Sequence, residues 1–158
     1  MKLSRREFFI KSAGAIVVVS TSGFISTIIT SCSDNPTDSG NSTPLSTIQG
    51  TVVNNEISIA LASSAIENKN TRALVVYNNN NGAIIAEHNS DDTYKAISGI
   101  CTHQACKVSD YDDGQSVFVC PCHNSRFDLN GNVVQGPATT KLRTYSTRVE
   151  NNSLIITL

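Results

Sequence analysis

From Ile48 onward the chain reads as short apolar runs separated by polar, turn-forming clusters. Ile57-Ser58-Ile59 and residues 73–77, 83–86, 94–98, 117–119 and 154–158 have the β-branched and aromatic character of strands. Asn, Gly and Asp punctuate them at residues 78–82, 89–92, 110–114 and 151–152. No sustained helical period appears in this stretch. The pattern predicts an antiparallel all-β domain over residues 48–158, long enough for one core and too short for two.

Between the expected strands lie two boxes with a different kind of information. The first is Cys101-Thr102-His103-Gln104-Ala105-Cys106 and the second is Cys120-Pro121-Cys122-His123-Asn124-Ser125. They hold four of the five cysteines and two of the three histidines. Each box has a Cys and a His at close range plus one extra Cys. Two Cys and two His suit one metal centre. A zinc site is one reading of such a set. Four disulfide-bonded cysteines with incidental histidines is another, and fits an exported domain. Against zinc, the ligand types alternate across two boxes, and two further cysteines sit at matching places. Against plain disulfides, a His stands at a short offset in both boxes.

The two boxes resemble those of the Rieske family, whose two-iron cluster carries two Cys on one iron and two His on the other. The resemblance spans residues 97–139: Phe127-Asp128 and Gly131 follow the second box as in many members, and Gly136-Pro137-Ala138 is similar to the family's proline-bearing third loop. It implies a β sandwich or barrel with a small cluster-binding subdomain built from loops. It also implies one [2Fe-2S] cluster, with Cys101 and Cys120 as thiolate ligands and His103 and His123 as imidazole ligands. Neutral imidazoles in place of thiolates remove negative charge, so such centres lie at about −150 to +300 mV against about −400 mV for all-Cys plant-type ferredoxins. Titratable imidazoles at solvent would couple electron to proton transfer.

By the same resemblance Cys106 and Cys122 form a disulfide joining the two loops, a feature of quinol-oxidising chains generally missing from the ferredoxins that serve oxygenases. Ser125 stands where the family places a hydroxyl that donates to a bridging sulfide, which raises the potential. Phe127 stands where quinol-oxidising members usually have a Tyr donating to a ligand sulfur, so a potential below the top of the range is expected. Phe127 also reads as a core aromatic. Pro137 belongs to the loop that closes over the cluster. Gln104-Ala105 replace the family's common Leu-Gly, and Asn124 replaces a common Gly. Asn tolerates positive backbone angles better than most residues, so the turn can survive. The loss of the Leu weighs against a quinol-oxidase docking surface.

Residues 1–31 read as a targeting segment. Ser4-Arg5-Arg6-Glu7-Phe8-Phe9 is close to a twin-arginine signal and precedes an uncharged apolar stretch over residues 13–29. That route exports folded proteins with their cofactors in place. Ile29-Thr30-Ser31-Cys32 resembles a lipoprotein box, making Cys32 the lipidated residue and explaining the fifth cysteine. The rival is an uncleaved transmembrane helix, for which the apolar stretch is short and Ser/Thr-rich. Either implies a membrane-anchored domain on the periplasmic side. Residues 32–47 read as a flexible linker.

Charge adds little. After the leader 8 Lys/Arg and 12 Asp/Glu remain, a net charge of −4. Asp110, Asp112 and Asp113 form an acidic turn that reads as solvated surface, or as steering for a basic partner. Nothing supports nucleic-acid binding. His88, the remaining histidine, reads as a strand-end surface residue, and alone it cannot build the two-His, one-carboxylate iron site of an oxygenase. The expected function is one-electron transfer without catalysis of its own, with redox proteins as partners. The alternatives are a Rieske subunit of a quinol-oxidising (cytochrome bc-type) or other respiratory oxidoreductase complex, and a zinc-stabilised exported binding module.

Overall fold

The computed structural model describes residues 41–158. The expected signal segment, Cys32 and the first part of the linker lie outside the described residues. The described chain is all-β, with thirteen strands in two sheets and no helix. An eight-stranded sheet runs in the order β2 (Ser46–Gln49), β5 (Thr71–Tyr77), β6 (Gly82–His88), β7 (Tyr94–Ser98), β12 (Thr144–Glu150), β13 (Ser153–Thr157), β4 (Glu56–Ala60), β3 (Thr51–Val53). Its pairings are antiparallel except β2 with β5, which is parallel. The edge strands β2 and β3 are successive in the chain, so the sheet nearly closes into a barrel.

Gly50 sits at that closure. Its N–H donates to Val76 O at 2.9 Å. A Cβ there would lie 2.5 Å from Ile57 Cγ2, so only glycine lets the bent strand approach both neighbours.

The second sheet has the order β1 (Ser42–Pro44), β8 (Asp110–Asp112), β9 (Val117–Cys120), β10 (Ser125–Phe127), β11 (Val133–Gln135). It packs on the outer face of β5 and β6. Ala73, Val75, Ile84 and Ala86 point into the barrel with Ile57, Ile59, Leu154 and Ile156. Leu74, Val76, Ala83 and Ile85 point the other way, into a core shared with Tyr111, Phe118, Phe127 and Leu142. Burial on both faces is why these two strands read as unbroken apolar runs. Arg72 ties the sheets together at the edge: its guanidinium lies 3.9 Å from the Tyr111 ring centroid, 3.1 Å from Glu87 and 3.5 Å from Asp113.

Strand structure begins at Ser42, inside the stretch expected to be linker up to Thr47. Edge strands need backbone partners more than apolar side chains, and Leu45 supplies one anchor: its N–H donates to Ser109 O at 2.7 Å and its side chain packs on the second core. The acidic turn is also different from expectation. Asp112 departs from it, being buried in β8 and paired to Arg126 at 3.3 Å, whereas Asp113 is exposed with Arg72 3.5 Å away. His88 ends β6 as expected but is buried, with Nδ1 3.1 Å from Ile66 O and its ring stacked on Tyr94.

Candidate metal centre

Gly99 directs the chain out of the barrel into the first box. Its N–H extends the β6 pairing to Ala83 O, and its carbonyl accepts Val108 N–H on the return, at 2.9 and 2.8 Å. A Cβ at Gly99 would meet Leu74 and Ala83 at 2.9–3.1 Å. Within the loop Ala105 N–H donates to Cys101 O at 3.0 Å, and Ala105 is left-handed with φ 56°. The second box connects β9 to β10 in the same manner. Asn124 N–H donates to Cys120 O at 2.9 Å, with Asn124 at φ 57°. Both boxes therefore fold as one turn type, a Cys whose carbonyl is capped by a left-handed residue four positions later. Asn124 fits that geometry through its short polar side chain, and Ala105 occupies it at a cost of about 1–2 kcal/mol.

The turns set the side chains. Cys101 and Cys120 are free thiols buried in the second core beside Phe127. Burial pushes the Cys120 thiol above its ordinary pKa, and the Cys101 thiol adds to this. The backbone N–H groups of Cys122 and His123 act oppositely, aiming donors at Cys120 Sγ. His103 is half-buried and His123 exposed, with ring centroids 4.9 Å apart in an edge-on arrangement at 87°.

Cys106 and Cys122 form a disulfide across the two boxes, with S–S 2.06 Å. The sulfurs of Cys106, Cys120 and Cys122 lie within 4.8 Å of one another, but the first and last share a bond, so only Cys120 of the three can ligate.

The third loop closes from the side. Ala138 N–H donates to Ser125 Oγ at 3.0 Å, Thr102 Oγ1 donates to Thr140 O at 2.5 Å, and Gln135 Nε2 donates to Asn124 O at 3.5 Å. Pro137 is exposed beside Ala138, which is buried. Ser125 and Phe127 are completely buried. Behind the second box Arg126 is buried with Asp112 and donates to Gln115 Oε1 at 2.9 Å.

The structure places Cys101 and Cys120 in one core with Phe127 and Ala138, sets the His103 and His123 rings against each other, and bonds Ser125 to the third loop. The donor set fits an iron–sulfur cluster: two free thiols share an interior position with backbone N–H groups aimed at one of them, and two imidazoles converge at the surface. The sequence reading missed Thr102, which pins the first box to the third loop, and Ala105, whose position four residues after a Cys matches Asn124. It also missed the Arg126–Asp112 pair, whose members gave no local signal because they pair across strands.

A family model for the Rieske [2Fe-2S] domain matches residues 57–146. Among curated proteins, the cytochrome b6-f complex iron-sulfur subunit of Chlorobaculum thiosulfatiphilum is 35% identical over 68 residues, covering 43% of this chain and 37% of that protein. The subunit of the same name from Chlorobaculum tepidum is 27% identical over 104 residues, 66% of this chain and 54% of that one. The matches span about a third to a half of these relatives' length. Among solved structures, the cyanobacterial plasma membrane Rieske protein PetC3 from Synechocystis PCC 6803 superposes with a TM-score of 0.47 at 30% identity, covering 55% of this chain and 86% of that one. With more than half of the chain matched by the family model, the protein belongs to the Rieske [2Fe-2S] family and carries one [2Fe-2S] cluster.

Proposed function

We propose that this chain is a membrane-tethered one-electron transfer protein whose cluster is held by the thiolates of Cys101 and Cys120 and the imidazoles of His103 and His123. The observation that supports this reading is the pair of buried free thiols in the two boxes, whose two imidazoles stand edge-on to each other, one of them exposed. When bound, the cluster supplies a reversible one-electron couple. The chain's own groups do the rest. The Cys122 and His123 N–H groups favour charge on Cys120, and Ser125, whose oxygen already accepts from Ala138, keeps its hydroxyl hydrogen for a second partner. The imidazoles place the exit for electrons, and for protons exchanged with them, at the surface.

The names of the curated relatives favour a second reading, that the chain works as the Rieske subunit of a quinol-oxidising complex. Gln104-Ala105 at the tip, where the family commonly has Leu-Gly, supports the independent carrier instead. Anchoring would come from a lipid on Cys32, or from an N-terminal helix, after twin-arginine export to the periplasmic side. A thioether-linked lipid mass on Cys32 would decide the anchor.

The test of function is a redox titration of the purified protein at several pH values, read by EPR. A midpoint within about −150 to +300 mV that falls at alkaline pH is expected. No EPR signal on reduction, with zinc and no iron in the protein, would overturn the reading. Co-purification with a cytochrome b would select the complex-bound alternative.

A further inference from the structure

The net charge after the leader is −4, yet the cations left without a carboxylate gather on one face. Among the described residues Lys69, Arg72, Arg126 and Arg148 each have a carboxylate within 4 Å, and Lys95 donates to Asn130 beside Asp128. Lys107, Lys141 and Arg143 remain, and no described carboxylate lies within 4 Å of them. They flank residues 98–102 from both sides. Ile100 is bridged to Lys107 on one side, and Ser98 N–H donates to Arg143 O at 2.7 Å on the other. The second register, continued by two residues, sets Lys141 beside Ile100, and the Thr102 bond to Thr140 maintains it. Val108, Gly99 and Leu142 are buried neighbours in these three segments, so the three cations leave the chain on the opposite, solvent side. Lys107 is half-buried there, while Lys141 and Arg143 are exposed. Lys107 and Lys141 stand two strand spacings apart, about 10 Å. Arg143 lies two residues further along, its guanidinium 4.7 Å from the Tyr145 ring centroid.

Three unpaired cations on one extended face give a positive local potential on a molecule that is negative overall. Carboxylates of a second protein could pair with them at the rim, where such pairs set approach and orientation more than affinity. The flank adjoins the histidine loops, since Lys107 directly follows Cys106 and Lys141 directly follows Thr140. A bilayer resting on the same cations would lie against those loops and close off their approach, which argues for protein carboxylates. We propose that the flank formed by Lys107, Lys141 and Arg143 recruits an acidic redox protein, whose carboxylates engage it beside the histidine loops and orient it before electron exchange. This rests on the electron-transfer reading above and specifies the charge of the partner.

The probes are two small oxidants of opposite sign and one acidic peptide. Reduced full-length protein is mixed in stopped flow with hexacyanoferrate(III), a trianion, or with tris(phenanthroline)cobalt(III), a trication. Each accepts one electron, Fe(III) or Co(III) going to Fe(II) or Co(II) as the cluster is oxidised. Lowering ionic strength from about 0.5 to about 0.02 M should speed the anion by at least about threefold and slow the cation. The reverse pair of slopes would mean that the net negative charge governs approach, and would overturn the proposal. The triple variant Lys107→Gln, Lys141→Gln, Arg143→Gln should lose the anion's acceleration at low salt, with the EPR spectrum of the reduced protein unchanged. Lys141→Glu alone, at an exposed position, should lose at least half of it. Rates equal to the parent's in Lys141→Glu would place the positive potential elsewhere and overturn the proposal while the electron-transfer reading stands. Deca-aspartate added at low salt should slow the anion at least about twofold in the parent and not in Lys141→Glu; no effect on the parent would also overturn it. Co-sedimentation with phosphatidylglycerol vesicles, compared between parent and Lys141→Glu so that any tether cancels, should be equal for the two. Weaker binding of the variant would assign the flank to lipid and overturn the proposal. Failure of both oxidants to react, with the reduced EPR signal intact, would reject the electron-transfer reading and the proposal with it.

Discussion

Ala138 N–H donates to Ser125 Oγ at 3.0 Å, fastening the proline-bearing loop to the second cysteine box through a fully buried hydroxyl. Because the oxygen is already an acceptor, the hydroxyl hydrogen is free to point elsewhere, and a cluster sulfur is the partner assigned to it above. Ser125→Ala should therefore act twice. The midpoint potential should fall by roughly 40–130 mV, the equivalent of about 1–3 kcal/mol at about 59 mV per tenfold, with the cluster retained. The stranded Ala138 N–H should cost about 1–3 kcal/mol in denaturant. An unchanged potential in a destabilised protein would leave Ser125 a loop fastener only.

Ala105 and Asn124 hold the same left-handed position in the two boxes, at φ 56° and 57°. Only one of them is suited to it. Ala105→Gly should raise stability by about 0.5–1 kcal/mol, whereas Asn124→Ala should lower it by about 1 kcal/mol. Urea unfolding of the two variants beside the parent reads both signs.

The Cys106–Cys122 bridge closes a separation of 16 residues. On the chain-entropy account its removal costs about 3 kcal/mol. The double replacement Cys106→Ser, Cys122→Ser should lower the unfolding midpoint accordingly and loosen the histidine loops, read as a broadened EPR signal and faster loss of iron. Cluster retention time equal to the parent's would contradict a role at the site.

Asp128 organises the turn that leads into β11. Burial by itself would raise its pKa, but Asn132's side chain and N–H, Asn130's N–H and the nearby Lys95 charge outweigh this, and the carboxyl lies below its ordinary value of 3.8. A depressed carboxylate contributes stability that is fully present above the unfolded pKa and is lost as pH falls through the folded one. Asp128→Asn should thus be less stable than the parent at pH 7, with the difference shrinking below about pH 4. Paired denaturation curves across this range check the sign.

The parts of the fold that were legible in the sequence are those where side chains carry the signal. Doubly buried β5 and β6 announce themselves as apolar runs, and β7 was bounded as found. β12 escaped because its inward positions include Thr147, whose hydroxyl reaches Tyr94 O at 2.8 Å, so the alternation does not look apolar. β1 and β2 escaped because they are edge strands made by backbone pairing, so residues 42–47 carried no strand signal of their own. At the site, the cysteines and histidines were readable because their spacing is local. The charges of Asp112 and Asp113 were not, since their partners Arg126 and Arg72 arrive from other strands. His88 looked exposed for the same reason: Ile66 O and the Tyr94 ring come to it from outside its own strand.

The central claim is that two histidines and two cysteines of this chain share one cluster. The most direct measurement is electron–nuclear double resonance on the reduced protein, prepared with and without ¹⁵N-labelled histidine. Two inequivalent nitrogen couplings that shift on labelling, with neither His103→Ala nor His123→Ala retaining both, is the predicted result. A reduced cluster whose signal shows no histidine nitrogen couplings would contradict it.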